Sequence, residues 1–239
     1  MKLSHSPPFP LRAFVSSCEK IPLPLLVSLL LTPFSGLHAA DLQTPALNTR
    51  GIVANEPTEL LSQVSALFKQ RDWKQMTQIF ERHSIQDWPK KEQLEAFRLK
   101  SLAFTFSKRG VEAESTIREA IQLQPEVPDW WLLLGENFKL NFTDKSADEL
   151  SAYQEALRLS GKSLGWQRFS AAIAIAKLYT DDANGAEALK VLDAFVDTHG
   201  IPSNWLIKIL RAQGHALASL GQDAPAAAKF REALQLEKP

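Results

Sequence analysis

From about Pro57 to the C-terminus the chain reads as an all-α array of helix hairpins, and three observations predict it. Apolar residues recur three and four apart almost throughout, with very little of the alternation that strands require. Helix breakers fall at short intervals, at Asp72, Pro89, Gly110, Pro125, Asn141, Gly161, Gly185, Gly200 and Gly221. Three stretches also echo one another: IREAIQLQP from Ile117, YQEALRLSG from Tyr153 and FREALQLEKP from Phe230. Together they predict about ten helices of roughly 10 to 15 residues, paired into about five antiparallel hairpins.

The first forty residues are a different material. Lys2, Arg12 and Lys20 precede the apolar run IPLPLLVSLLLTPF, and the small-residue stretch SGLHAAD follows it. A basic segment, a short apolar core and an Ala pair read as a secretory signal peptide over 1–40, with cleavage expected after Ala39 or Ala40. The run is short for a membrane span and is interrupted by Pro22, Pro24 and Pro33. The alternative is an uncleaved anchor, the one form in which a membrane contact is expected. Residues 41–56, with two prolines and no sustained period, read as a flexible linker. The expected location is therefore exported, periplasmic or secreted.

The hairpins follow in order, over about 57–89, 94–125, 128–161, 166–200 and 203–239. The first has Leu67, Trp73, Met76 and Phe80, with Val64 where a small residue belongs and His83 where an alanine belongs. The second has Leu99, Leu102, Ala103, Phe106, Ala113, Ile117 and Ala120. The third has Trp131, Leu134, Gly135, Phe138, Tyr153 and Ala156 around a longer turn, and the fourth Ala172, Ile175, Ala176, Tyr179, Ala188, Leu192 and Phe195. The fifth has Leu210, Gln213, Gly214, Leu217, Ala226, Phe230 and Ala233. The late small position, at residues 83, 120, 156, 195 and 233, recurs at spacings of 37, 36, 39 and 38. A small residue where two helices cross lets their backbones approach closely, and a ring from the partner helix covers the gap. Ala103 with Ile117, Gly135 with Tyr153 and Gly214 with Phe230 fit that scheme.

This order of large, small, aromatic and turn positions resembles the tetratricopeptide repeat family over about 57–239, with a period longer than the usual 34 or so. The resemblance implies a right-handed α-solenoid that binds proteins, its inner face lined by the first helix of each pair. Alignment to the family places Lys69, Phe97, Lys100, Phe104, Lys108, Leu132, Glu136, Lys139, Leu140, Lys177, Lys208, Arg211 and His215 on that face. Seven of these are Lys or Arg, so a locally basic groove with Phe97 and Phe104 between the lysines is expected, suited to an extended acidic or mixed peptide. Members that grip a C-terminal carboxylate need a Lys and Asn pair, a second Asn and a cationic pair. Here Lys100 matches, but Phe104, Leu133, Ser170 and Ala174 replace the rest, which argues against that role. Repeat arrays usually end in a polar capping helix. The final stretch instead presents Ala227, Leu234 and Leu236, which predicts self-association or partner docking through the C-terminal hairpin.

Catalysis finds no support in the pattern. There is no H-E-x-x-H, glycine-rich phosphate loop or G-x-S-x-G, and the single cysteine, Cys18, precedes the expected cleavage site. His83, His199 and His215 lie in different hairpins without ligand spacing. TDDANGAE has the look of a calcium loop, yet Thr180 and Val191 occupy the two anchoring positions, so Asn184 and Gly185 read as a turn. No metal or cofactor is expected. The sequon NFT at Asn141 falls in the extended turn of the third hairpin, where a glycan is compatible with the pattern. With 27 basic and 27 acidic residues the chain lacks the basic excess of many nucleic-acid binders. What remains is a non-catalytic protein-binding scaffold of the bacterial envelope. The alternatives are an assembly subunit acting through its end and an envelope enzyme with no nameable acid, base or nucleophile.

Overall fold

A computed structural model describes residues 57–237 except Ser163 and 196–199. The expected signal peptide, the linker, His199 and Pro239 lie outside the described residues. Ten helices form five hairpins: α1 (Pro57–Gln70) with α2 (Trp73–Arg82), α3 (Lys90–Phe106) with α4 (Gly110–Leu123), α5 (Pro128–Asn141) with α6 (Ser146–Ser160), α7 (Trp166–Asp181) with α8 (Gly185–Asp193), and α9 (Ser203–Ser219) with α10 (Asp223–Leu236). This is the α-solenoid expected. Among the described residues no helix is long and apolar enough to cross a membrane.

Local chemistry sets the starts and turns. Asp72 caps α2 by accepting from the Gln75 backbone N–H at 3.0 Å and its side-chain amide at 2.7 Å. Pro128 opens α5 at a position whose N–H has no helical partner. In four hairpins the first helix closes on the same corner. Arg71, Lys108, Ala183 and Gly221 take positive φ. The next N–H reaches back five residues in each, Asp72 to Leu67 O at 3.0 Å, Arg109 to Phe104 O at 2.9 Å, Asn184 to Tyr179 O at 2.7 Å and Gln222 to Leu217 O at 3.0 Å. The expectation that Asn184 and Gly185 make the turn is corrected: Ala183 carries the positive φ, and Asn184 and Gly185 open α8.

Gly185 and Gly110 serve a different purpose from turning. A Cβ on Gly110 would stand 2.6 Å from Asn141 Cβ and 2.8 Å from the Phe142 ring. One on Gly185 would stand 2.5 Å from the Ala216 carbonyl oxygen. Each glycine opens a second helix where the following hairpin's first helix ends against it, so the absent side chain admits the next repeat.

The crossings within hairpins match the sequence scheme. A Cβ on Gly135 would lie 2.6 Å from the Tyr153 ring, and one on Gly214 would lie 2.6 Å from Phe230. Ala103, Ile117, Ala120, Ala156, Ala226 and Ala233 are buried. Tyr153 and Ala156 join Leu132, Ala171 and Ile175 in a core shared by α5, α6 and α7, with Trp131 packed against it. Each second helix packs on its own first helix and, where a hairpin follows, on that hairpin's first helix. The first helices also touch in series, α1 to α3, α3 to α5, α5 to α7 and α7 to α9. That series carries the residues expected to line the groove, apart from Lys108, which follows the end of α3.

Two helices stop earlier than the apolar period suggests. His83, expected at a helix crossing, is the extended residue after α2, and Phe195 lies beyond the end of α8. Phe195 is buried against Phe169, ring centroids 5.6 Å apart, with the Arg168 guanidinium 4.5 Å from its ring.

Candidate functional site

The groove residues fall into two groups, and the aromatic group is corrected. Phe97 is 1% exposed and Phe104 5% exposed, so neither offers a ring to a ligand. Helix α3 is flanked by α1, α2, α4 and α5, and these cover faces that α3 alone would present. The Phe104 ring lies beneath Arg109 and Lys100, whose charged groups stand 4.6 and 5.9 Å from its centroid. Leu132, also placed on the groove, is buried in the shared core.

The cations are present, but most have partners, so the expected basic groove becomes an alternating charge row. Lys108 donates to the Leu140 carbonyl oxygen at 3.0 Å, tying the second hairpin to the third. On α5, Lys139 holds Glu136 at 3.4 Å; on α7, Lys177 holds Asp181 at 2.8 Å; on α9, Arg211 reaches Glu237 at 2.5 Å. Lys208 rests 4.3 Å from the Trp205 ring, and burial holds its ammonium below the usual lysine range. Lys69 is exposed at the end of α1. Exposed pairs of this kind contribute up to about 1 kcal/mol each, so an incoming charged chain can exchange with them.

His215 meets Phe230 edge-on at 5.1 Å between centroids. Burial lowers its pKa, and the charges of Lys177 and Arg211 add to that, so the imidazole is neutral near pH 7.

Beside this row lies Glu149, which the sequence reading missed. It belongs to the first turn of α6 and is buried at 8% exposure. Burial pushes its carboxyl up to about 7; Lys139 and Lys177 oppose the rise, while Glu136 and Asp181 add to it. Tyr153, one turn on, donates its hydroxyl to Glu136 at 2.9 Å, and burial raises its own pKa well above the ordinary phenol. Glu149, Tyr153, Ala156 and Ser160 are spaced four, three and four apart, and all are buried. An acidic residue in register with a buried tyrosine and alanine was the available signal.

A second polar group locks hairpins two and three together. Asn137, fully enclosed, donates to the Gly110 carbonyl oxygen at 2.9 Å and accepts from Thr105 at 3.2 Å and from Asn141 at 2.9 Å. Asn141 also donates to the Thr105 carbonyl oxygen at 3.2 Å. The amide of the sequon is therefore committed to the joint between repeats, which corrects the expectation that this site suits a glycan. Among the described residues no group of three or more His, Cys, Asp or Glu could hold a metal ion.

No family model matches the chain, and no curated protein matches it. Solved structures do. "Crystal structure of MamA protein" aligns at TM-score 0.56 and 14% identity, covering 76% of this chain and 91% of that one. "Crystal structure of MamA" aligns at 0.56 and 16%, covering 73% and 94%, and "MamA MSR-1 C2" at 0.54 and 12%, covering 76% and 96%. At such identities the likeness speaks for the fold, and that fold is a TPR-like stack of helix hairpins.

Proposed function

We propose that this chain is a non-catalytic scaffold, exported to the bacterial cell envelope, that holds an extended segment of a partner protein along the inner wall of its first helices. The observation that carries the reading is the row of exchangeable charges repeated on α5, α7 and α9, each on a helix that touches the next. Alternating charge on a continuous wall suits a segment of mixed charge. The test is capture from envelope extract by the chain and by its Lys100→Glu, Lys139→Glu double variant. Proteins retained by the first and lost by the second support the groove; retention that is absent, or unchanged in the variant, removes it.

A second reading rests on the last hairpin. Leu234 and Leu236 on α10 are 53% and 41% exposed, and Ala227 is half-buried on the same helix. Large apolar side chains left in water favour association, here with a second copy of the chain. Light scattering at high micromolar concentration checks it: a mass above the monomer that Leu234→Glu returns to the monomer is expected, and a monomer throughout rejects the reading.

A further inference from the structure

Glu149 is a carboxyl without a partner in a place where every neighbour has one. Among the described residues it makes no hydrogen bond and no ion pair, although it is more than nine-tenths buried. The charges that act on it come from both sides, Glu136 and Lys139 on α5 and Lys177 and Asp181 on α7. Those four are already matched: Lys139 with Glu136, Lys177 with both oxygens of Asp181, and the second Glu136 oxygen with the Tyr153 hydroxyl. Of the buried side-chain atoms wholly sealed from solvent and unbonded, the described residues have Asp129 Oδ1 and Asn141 Oδ1; the Glu149 oxygens keep a narrow opening to water. With Glu149 ionised, the five groups carry three negative and two positive charges. One further cation balances them.

We propose that Glu149 anchors a cationic side chain, Arg or Lys, of an extended partner segment lying along the wall between α5 and α7. This rests on the groove reading and specifies its chemistry. A buried carboxylate without donors is costly, and a guanidinium supplies several at once in a geometry that fits two oxygens. Neither resident lysine meets that need without abandoning its own acid, and Arg211 is held by Glu237. His215, which the charges of Lys177 and Asp181 also reach, is neutral near pH 7 and adds no competing charge. Because the free carboxyl is half protonated near neutrality, docking of the cation expels that proton, and affinity rises with pH through about 7.

The probe is a panel of short labelled peptides of mixed charge, each made with Arg and with the neutral isostere citrulline at its centre. They are measured by fluorescence anisotropy against the full chain and against Glu149→Gln, which matches the protonated acid in shape. The expected result is about tenfold tighter binding of the Arg form, lost in Glu149→Gln while the citrulline form is unaffected. The carboxyl carbon signal of Glu149 should then titrate about one unit lower with peptide bound than without. If peptides bind but Arg and citrulline bind alike, or their difference survives in Glu149→Gln, the anchor is wrong and the groove stands. If no peptide binds, the groove reading falls and the anchor with it. Equal helical circular dichroism of the two proteins confirms that the variant keeps its fold.

Discussion

Hairpins two, three and five differ from hairpins one and four in how their second helices end. In the first set Ala120, Ala156 and Ala233 are buried, and the helices run past them to Leu123, Ser160 and Leu236. In the second set the same register holds His83 and Phe195, and the helices end before it, at Arg82 and Asp193. An alanine there suits a helix that continues across its neighbour at close range, where a larger ring would crowd it. The residue at this position thus separates second helices of about three turns from those of about four.

Phe195→Ala tests this most severely. The ring packs on Phe169 and lies under Arg168, so its loss should cost about 3–5 kcal/mol, read as a fall in urea midpoint. Helical circular dichroism should rise as α8 lengthens; an unchanged helix content would mean that the ring is not what stops it. Ala156→Leu approaches from the other side. It should cost about 1–3 kcal/mol by overpacking the core shared with Leu132 and Ile175, whereas His83→Ala should change stability by a few tenths at most and raise helicity. Equal effects at the two positions would dissolve the distinction.

The long second helix α6 also carries Glu149, buried in its first turn. Its folded-state value, about 7, lies above the ordinary 4.5, so between those values the folded protein holds a proton that the unfolded chain has released. The resulting stability is complete below about 4.5 and is lost as pH rises through about 7. A decline of about 1–2 kcal/mol across that window is expected, the conversion being reduced because the carboxyl keeps solvent contact. Thermal melts of the chain and of Glu149→Gln at pH 5 and pH 8 read it as a smaller pH difference in the variant. The smallest effect belongs to a turn. Ala183→Gly should gain about 0.5–1 kcal/mol by relieving positive φ at an alanine, and a loss would mean that unfolded-chain entropy outweighs that strain.

The hairpin count and the tight crossings were legible because both depend on short-range pattern. Breakers mark the turns, and Gly135 and Gly214 stand four turns of helix and a loop away from the rings that fill them, Tyr153 and Phe230, inside one repeat. What failed needed the neighbouring repeat. Phe97 and Phe104 lie on the groove rows of an isolated α3, yet adjacent helices cover them. The same-helix pairs Lys139 with Glu136 and Lys177 with Asp181 follow from helical spacing, but the distant ones do not: Lys108 meets a carbonyl of the next hairpin, and Arg211 meets Glu237 across its own hairpin. Gly110 looked like a turn residue because the helix ending against it belongs to the next repeat.

The corners at Arg71, Lys108 and Ala183 share one backbone shape without glycine, which makes them fixed marks along the array. The chain's single cysteine is Cys18, so cysteines placed at Arg71 and Ala183 of a chain with Cys18 replaced would carry a pair of dyes at the same corner of hairpins one and four. The separation between them measures the pitch of the superhelix. A stack whose repeats touch only their neighbours behaves as a spring, and this pair of corners would show whether a captured segment stretches it or winds it tighter.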